Sequence, residues 1–400
     1  MKIKKTIIFL LIVSLTEISL SSYNITNNIE TAGNDSITTI QKSDKEILFS
    51  IKVGDKYGFM DSNGQIVINP FFDKVSPTFD EDISCVRIGD YNNGKYGYID
   101  RAGNFIIEPQ FEIAYDFHNN YALVAMDGKF CYINKSGEPI TPLFNSTYAI
   151  FTGFSDGLCP IPNEDNKWGY VDTTGKYVIE PQFDYADQFS EGLAYVCFCD
   201  DMRNLGRPNA SKFAYIDKKG NYVIKPQNFD MVGRFKNGLA KITYHHKTGL
   251  INKKGDYVIR PKYDYISDFS EGYATVSIGE KSGYIDEKGN LVISIQYDDA
   301  TYFSEGLAAV KKDNKYGYID KTGNFIIQPQ FNHAHPFHNG LAVIGMGEYN
   351  DYGIIDQSGK EVIKPIFQEA FSIGYGLFHM EQNGKWIYIN RNGKIIWTDK

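Results

Sequence analysis

A turn of Asp or Asn, two residues and Gly recurs ten times in this 400-residue chain, and it limits the fold more than any other feature. Its glycines are Gly64, Gly103, Gly137, Gly175, Gly220, Gly255, Gly289, Gly323, Gly359 and Gly393, separated by 39, 34, 38, 45, 35, 34, 34, 36 and 34 residues. A period near 34 also suits helical arrays, so the residues inside the unit must decide. Lys315-Tyr316-Gly317-Tyr318-Ile319-Asp320 and Asn324-Phe325-Ile326-Ile327 are β-rich runs flanking a turn in which Asp320 caps and Gly323 is free to take positive φ. Asp100 with Gly103, and Asp172 with Gly175, repeat that arrangement. Seven units carry Pro six residues after the turn Gly, as at Pro109 and Pro329, and Pro ends a strand because it cannot donate to the ladder. Phe-x-x-Gly follows, as at Phe189 to Gly192 and Phe303 to Gly306, and a third strand such as Leu307-Ala308-Ala309-Val310 leads into the next unit.

The expected fold is therefore all-β: a tandem array of about ten 34-residue, three-stranded antiparallel units that bury their aromatic faces by stacking. An open, solenoid-like array is expected over a closed, propeller-like toroid, because ten units exceed the usual four to eight blades and three strands fall short of the usual four. Residues 46–53 read as a lone strand pairing with the first hairpin, and residues 394–397 as the strand that closes the last. Residues 1–22, basic and then apolar up to Leu15, have the layout of a cleaved signal peptide; residues 23–43 read as a flexible linker, and residues 44–400 as the repeat domain. An exported chain, periplasmic, at the cell surface or secreted, with no membrane span once mature, is the expectation. A net charge of −8 and the absence of Lys/Arg runs beyond the first five residues argue against general nucleic-acid binding, although local basic patches remain open. Five cysteines are too few for a disulfide scaffold.

Lys167-Trp168-Gly169-Tyr170-Val171-Asp172 through Phe189-Ser190-Glu191-Gly192-Leu193-Ala194 resembles nearly the whole pattern of the WG (or KWG) repeat family, and the resemblance extends over residues 46–397. Elsewhere Tyr usually replaces the Trp, as at Tyr57, Tyr96 and Tyr316, and Cys131, Ala214 and Ile387 replace the Gly. The resemblance implies a bacterial, often exported, all-β repeat protein, and it brings no catalytic residues, because the family pattern is structural.

Few residues suggest chemistry. Gly153-Phe154-Ser155-Asp156-Gly157 matches a nucleophile elbow, but it falls in register with Phe189-Ser190-Glu191-Gly192 and no helix follows. His333, His335 and His338 form a local cluster in register with Ile113, Tyr115 and His118, which suggests variable positions on a scaffold rather than a metal site. Each turn Asp supplies too few ligands for calcium and is read as capping its own turn. Glu191, Glu271 and Glu305 are read as solvated, Cys197 and Cys199 as two cysteines on one strand face, and the repeated aromatics as core. The 45-residue interval holds an insertion from Cys199 to Asn209, whose Asp200, Asp201, Met202, Arg203, Leu205 and Arg207 are the candidate binding residues. The function expected is an exported, non-enzymatic scaffold that binds another macromolecule, first a protein, with a carbohydrate-binding module of the cell envelope as the alternative. No cofactor, metal or nucleic-acid partner is expected.

Overall fold

Each turn of the repeat folds as the strand-rich sequence requires. The structure, a computed structural model, describes residues 47–145, 153–199, 211–347, 351–374 and 376–398, and all of these lie in strands, turns and connecting segments, with no helix. The turn from Asp100 to Gly103 is closed by Gly103 N–H donating to Asp100 O at 3.0 Å, while the Asp100 carboxylate accepts the N–H groups of Ala102 and Asn104, each at 2.9 Å. Gly103 has φ of 87°, as a bulged type I hairpin turn needs. The strands Lys95–Ile99 and Phe105–Phe111 pair with a bulge: Tyr96 faces Phe111 and Tyr98 faces Ile107, so the segment from Glu108 to Gln110 arches over Gly97. A Cβ on Gly97 would lie 2.6 Å from Ile107 O and 2.7 Å from Pro109 N, which is why the motif requires glycine there. Where the glycine is replaced, the arch is altered. Beside Cys131 no regular fourth strand forms, beside Ala214 the strand Tyr222–Gln227 is followed by an extra residue, and beside Ile387 only Ile395–Thr398 pairs.

Among the described residues there are ten antiparallel sheets, here called blades 1 to 10 in chain order. Seven have four strands rather than the three expected. The additional strand is two residues long, as in Tyr265–Ile266, except in blade 10, where it is Glu369–Gly374, and it follows the proline strand of the preceding blade after a single residue except in blade 6, where three intervene. In blade 7 the order is the short strand Tyr265–Ile266, a second strand Tyr273–Ile278, a third strand Lys281–Asp286 and the proline strand Leu291–Tyr297. Blade 1 begins with Phe49–Val53 paired to Lys56–Met60, as the sequence indicates, and blade 10 ends on Ile395–Thr398.

The core lies between blades. Tyr98, Tyr170, Tyr215, Tyr284 and Tyr318 are fully buried, and each donates its hydroxyl to a backbone carbonyl of the next blade, at Tyr115, Asp187, Gly233, Thr301 and His335, over 2.7–2.8 Å. Each turn glycine of blades 2 to 10 faces an isoleucine of the preceding blade, for instance Gly103 on Ile68 and Gly323 on Ile293; in blade 4 Gly175 meets Ile140 by its backbone. A buried Ile or Phe is worth roughly 1.5–3 kcal/mol, so a blade with one face open to water would be poorly stable.

Both series continue across the chain ends, and this corrects the open array. Tyr388 of blade 10 donates to Ser50 O of blade 1 at 2.8 Å, and Gly64 of blade 1 faces the Ile396 backbone of blade 10. Phe49, Ile51 and Met60 pack with Leu377, Tyr388, Ile396 and Trp397 in one core cluster. The chain is a closed ten-bladed ring, a β-propeller. Closure removes two terminal faces that would otherwise need polar caps, and Ile47, Ile396 and Trp397 are apolar because they meet each other rather than water.

Candidate functional site

An antiparallel blade has two ends. The short-to-second and third-to-proline turns lie at one end of every blade and form one rim of the ring. The second-to-third turns lie at the other end and form the opposite rim.

The first rim is bound from blade to blade by repeated residues. Glu271 accepts Gly306 N–H at 3.1 Å and pairs with Lys321 at 3.1 Å; Glu191 does the same with Gly238 N–H and Lys253, each at 3.0 Å; Glu305 accepts the N–H groups of Asn339 and Gly340. Ser190 and Ser270 donate to Phe235 O and Phe303 O at 2.6 and 2.7 Å. The glutamates expected to be solvated thus act as staples. Their side chains reach the next blade because they sit at φ of 52–53° in the Phe-x-x-Gly turn. A hydrogen bond from a backbone N–H and an ion pair both favour the ionised form, and the Glu191 carboxyl, despite some burial that opposes it, is held below its ordinary value.

The second rim has one repeated element. Lys281 pairs with Asp298 and Lys247 with Asp264, each at 2.5 Å, and the other oxygen of Asp264 accepts Gly279 N–H of the next blade at 2.8 Å. This explains the Lys that opens the family motif and the Asp that follows its second aromatic. The rest of this rim varies. His245-His246 and Asp313-Asn314 make two-residue turns at positive φ, whereas Asp90 to Gly94, residues 200–210 and residues 347–350 are longer connections. Beside these turns, four cross-strand positions form a row whose chemistry changes with the blade. The row is Lys74, Arg87, Tyr96 and Phe111 in blade 2, Met231, Thr243, Thr248 and Tyr263 in blade 6, and Asp299, Lys311, Tyr316 and Phe331 in blade 8. In blade 7 it is Tyr265, Ser277, Ser282 and Tyr297. In blades 6 and 7 the motif aromatic is reduced to Thr248 or Ser282 and the facing Phe becomes Tyr. This row was missed in the sequence because its first member lies on the two-residue strand.

The structure places the other candidates as follows. Asp200, Asp201, Met202, Arg203, Leu205 and Arg207 lie outside the described residues; in sequence they fall between the second strand Ala194–Cys199 and the third strand Ser211–Ile216. Asp100, Asp172 and Asp320 cap their own turns, with Gly103, Gly175 and Gly323 at φ of 80–87°. Ser155 sits in a Phe-x-x-Gly turn, bridging to Leu158. His333 lies near the Tyr352 ring and His338 near the Tyr302 hydroxyl, at 3.5 Å, and burial together with the two neighbouring histidines lowers the His335 pKa. Among the described residues no three His, Cys, Asp or Glu converge as metal ligands, and no helix is long and apolar enough to cross a membrane. All five cysteines are buried and unbridged. A cavity of about 30 Å³ between blades 6 and 7, bordered by Lys236, Lys241, Asp268 and Phe269, is the size of a water site.

The pattern of the WG containing repeat family matches residues 57–91, 96–130, 168–198, 213–244, 249–281, 283–316, 316–349 and 352–386. No curated protein matches the chain. Among solved structures, that of the eukaryotic initiation factor is similar over 88% of this chain and 100% of its own, at 11% identity and a TM-score of 0.51. Apo AztD from Citrobacter koseri (79% and 93% covered, 12% identity, TM-score 0.35) and BamB from Moraxella catarrhalis (68% and 93% covered, 12% identity, TM-score 0.34) are more distant. The first likeness is one of fold alone, and the other two carry no argument. The family matches span more than half of the chain, and they fall on units whose Lys, Gly, Tyr, Asp and Phe-x-x-Gly positions each hold the ring together: this chain belongs to the WG containing repeat family.

Proposed function

We propose that the ring is an exported, non-enzymatic scaffold that binds another macromolecule, in the first place a protein, through its variable rim. The observation that carries this is the contrast between the rims: one is committed to holding the blades together, while the other collects the long connections and the row of changing side chains. Repeats supply area, and changing residues on a fixed frame supply specificity. Export rests on the leader-like pattern of residues 1–22. Carbohydrate is a second reading favoured by blade 7, where exposed Tyr265 stands beside the hydroxyl side chains of Ser277 and Ser282.

The test is capture from the source organism's envelope and culture supernatant by residues 23–400, with the captured material assayed for both protein and polysaccharide. A reproducible protein partner is expected. Replacing residues 200–210 by a two-residue Asn-Gly turn, which blade 10 has at Asn383-Gly384, is expected to lower capture while leaving stability within about 0.5 kcal/mol. Capture of polysaccharide alone would favour the second reading, and shortening of that polysaccharide on incubation would overturn the non-enzymatic one.

A further inference from the structure

Charge is distributed unevenly around the ring. Residues 211–263 hold twelve Lys and Arg against three Asp, a net of +9, in a chain whose net is −8; the remainder therefore carries −17. Residues 264–314, which follow directly, hold four Lys against ten Asp and Glu, a net of −6.

Half of those twelve cations are occupied in holding blades together. Arg234 pairs with Asp187, Lys236 and Lys241 with Asp268, Lys247 with Asp264, and Lys253 with Glu191, while Lys218 donates to Asp156 O. The other six, Lys212, Lys219, Lys225, Lys254, Arg260 and Lys262, are exposed, and among the described residues none has a carboxylate within 4 Å. Lys225 lies on the proline strand Tyr222–Gln227, and Arg260 and Lys262 lie on the proline strand Tyr257–Tyr263 of the next blade. The turn carrying Lys254 packs through Gly255 on Ile224, the residue before Lys225, so the cation-bearing turn of blade 6 and the proline strand of blade 5 are neighbours. The fold does not require them: the position of Lys225 is Glu108 in blade 2, Glu180 in blade 4 and Gln328 in blade 8. Exposed Tyr222 and Tyr257 stand among them, with the Arg260 guanidinium 5.2 Å from the Tyr257 ring centre. Pro226 and Pro261 lack the N–H that another strand would need, so an occupant docks through side chains rather than by extending the sheet.

We infer that the outer strands of blades 5 and 6 are a docking surface for an acidic segment of the partner protein. This rests on the protein-binding reading, extends the contact from the variable rim to the outer edge of the ring, and adds the chemistry of the partner. Charge complementarity selects carboxylates, with the two tyrosines as apolar anchors between them. The limited width of the sector selects a short acidic segment over a long uniform polyanion, which would run from the cations onto blades of net negative charge.

The test uses fluorescence anisotropy with residues 23–400 and a labelled oligoglutamate peptide, with labelled oligothymidylate and a heparin oligosaccharide in parallel. Oligoglutamate is expected to bind most tightly of the three, and to weaken at least about tenfold between roughly 50 and 300 mM salt. The triple variant Lys225→Glu, Arg260→Glu, Lys262→Glu is expected to lose at least about tenfold, whereas Lys364→Glu, at the same register in blade 9, stays within about twofold. If the reversals impair folding, the Gln versions at the same three positions are expected to lose a smaller part of the affinity with an unchanged melting curve. Absence of oligoglutamate binding, binding that the triple variant leaves intact, or tighter binding of either other polymer overturns the inference. Failure here with a protein still captured from the envelope leaves the protein-binding reading standing; failure of capture with oligoglutamate still bound does the reverse.

Discussion

The two rims are built from the same strands, yet they have been given different work. On the rim of Phe-x-x-Gly and Asp-x-x-Gly turns, Glu191, Glu271 and Glu305 bond to the next blade's backbone, and the glycines of the Asp-x-x-Gly turns, unlike those of the Phe-x-x-Gly turns, rest on isoleucines of the preceding blade. On the rim of second-to-third turns, glycines such as Gly128 and Gly384 have no atom near the place a Cβ would occupy, and residues as different as His245-His246 and the 200–210 insertion connect equivalent strands. A closed ring needs its blades fixed at a constant angle: the first rim does so through its glutamates and turn glycines, and the second through the single link that joins Lys247 and Gly279 N–H at Asp264. The rest of the second rim is released for variation, which is where a binding surface can change without loss of the fold.

Two glycines measure the difference. Gly64, at φ of 85°, would place a Cβ 2.2 Å from Ile396 O across the closing seam, whereas Gly384, at φ of 75°, has nothing within 4 Å. Both pay the left-handed backbone penalty of roughly 1 kcal/mol when replaced by Ala. Only Gly64→Ala adds overpacking against backbone, of roughly 1–3 kcal/mol. Denaturant unfolding is expected to show a loss of about 2–4 kcal/mol for Gly64→Ala and about 1 kcal/mol for Gly384→Ala. Equal losses would mean that the rims are not held differently.

The closing seam has a feature of its own. His379 of blade 10 stacks against Trp386 and Tyr388 with ring centres 4.5 and 4.4 Å apart, and burial lowers its pKa to about 4; the positions facing the equivalent tyrosine or isoleucine in blades 8 and 9 are Ala309 and Val343. In the unfolded chain the same histidine titrates near 6.5. Between those values the unfolded chain takes up a proton that the ring does not, so stability falls as pH is lowered from about 6.5 and levels off below about 4. The full loss is bounded at about 3 kcal/mol and reduced by the partial exposure of the ring. His379→Phe, which keeps the stack, is expected to flatten the dependence of the unfolding midpoint in that window. A slope unchanged by the substitution would place the acid sensitivity at some other group.

Legibility followed the range of the interactions. The hairpins and the turn from Asp320 to Gly323 were readable because each depends on residues within one unit; Pro329, expected to end its strand, instead lies inside Phe325–Phe331, because the bulge opposite Gly317 takes it out of the ladder. The need for Gly97 and the irregular strands beside Cys131, Ala214 and Ile387 were readable as a motif with departures, and the arch of the proline strand gives their reason. The short strand escaped because two residues such as Tyr265 and Ile266 carry no periodicity. The role of Glu271 escaped because its partners, Gly306 N–H and Lys321, belong to the following blade and one of them is a backbone group. Closure escaped for the same reason at the greatest distance: Tyr388 and Ser50 O meet only when the rotation between blades sums to a full turn, and no local pattern encodes that sum.

The staple itself can be resolved into its parts, and this is the smallest effect. Glu271 accepts a backbone N–H from Gly306 and pairs with Lys321, and its side chain is 30% exposed, so water and salt screen the ion pair more than the bond to the backbone. Glu271→Gln keeps an acceptor oxygen for Gly306 and removes the charge; it is expected to cost a few tenths of a kcal/mol, with the difference from the parent vanishing at high salt. Glu271→Ala also leaves Gly306 N–H without its acceptor and is expected to cost about 1 kcal/mol at any salt concentration. Lys312→Ala, on the opposite rim, is expected to fall within about 0.5 kcal/mol of the parent. If Gln and Ala at 271 cost the same, the staple is a charge interaction alone, and the firmness of that rim rests on the glycine–isoleucine contacts; if Lys312→Ala costs as much as Glu271→Ala, the variable rim is holding blades too.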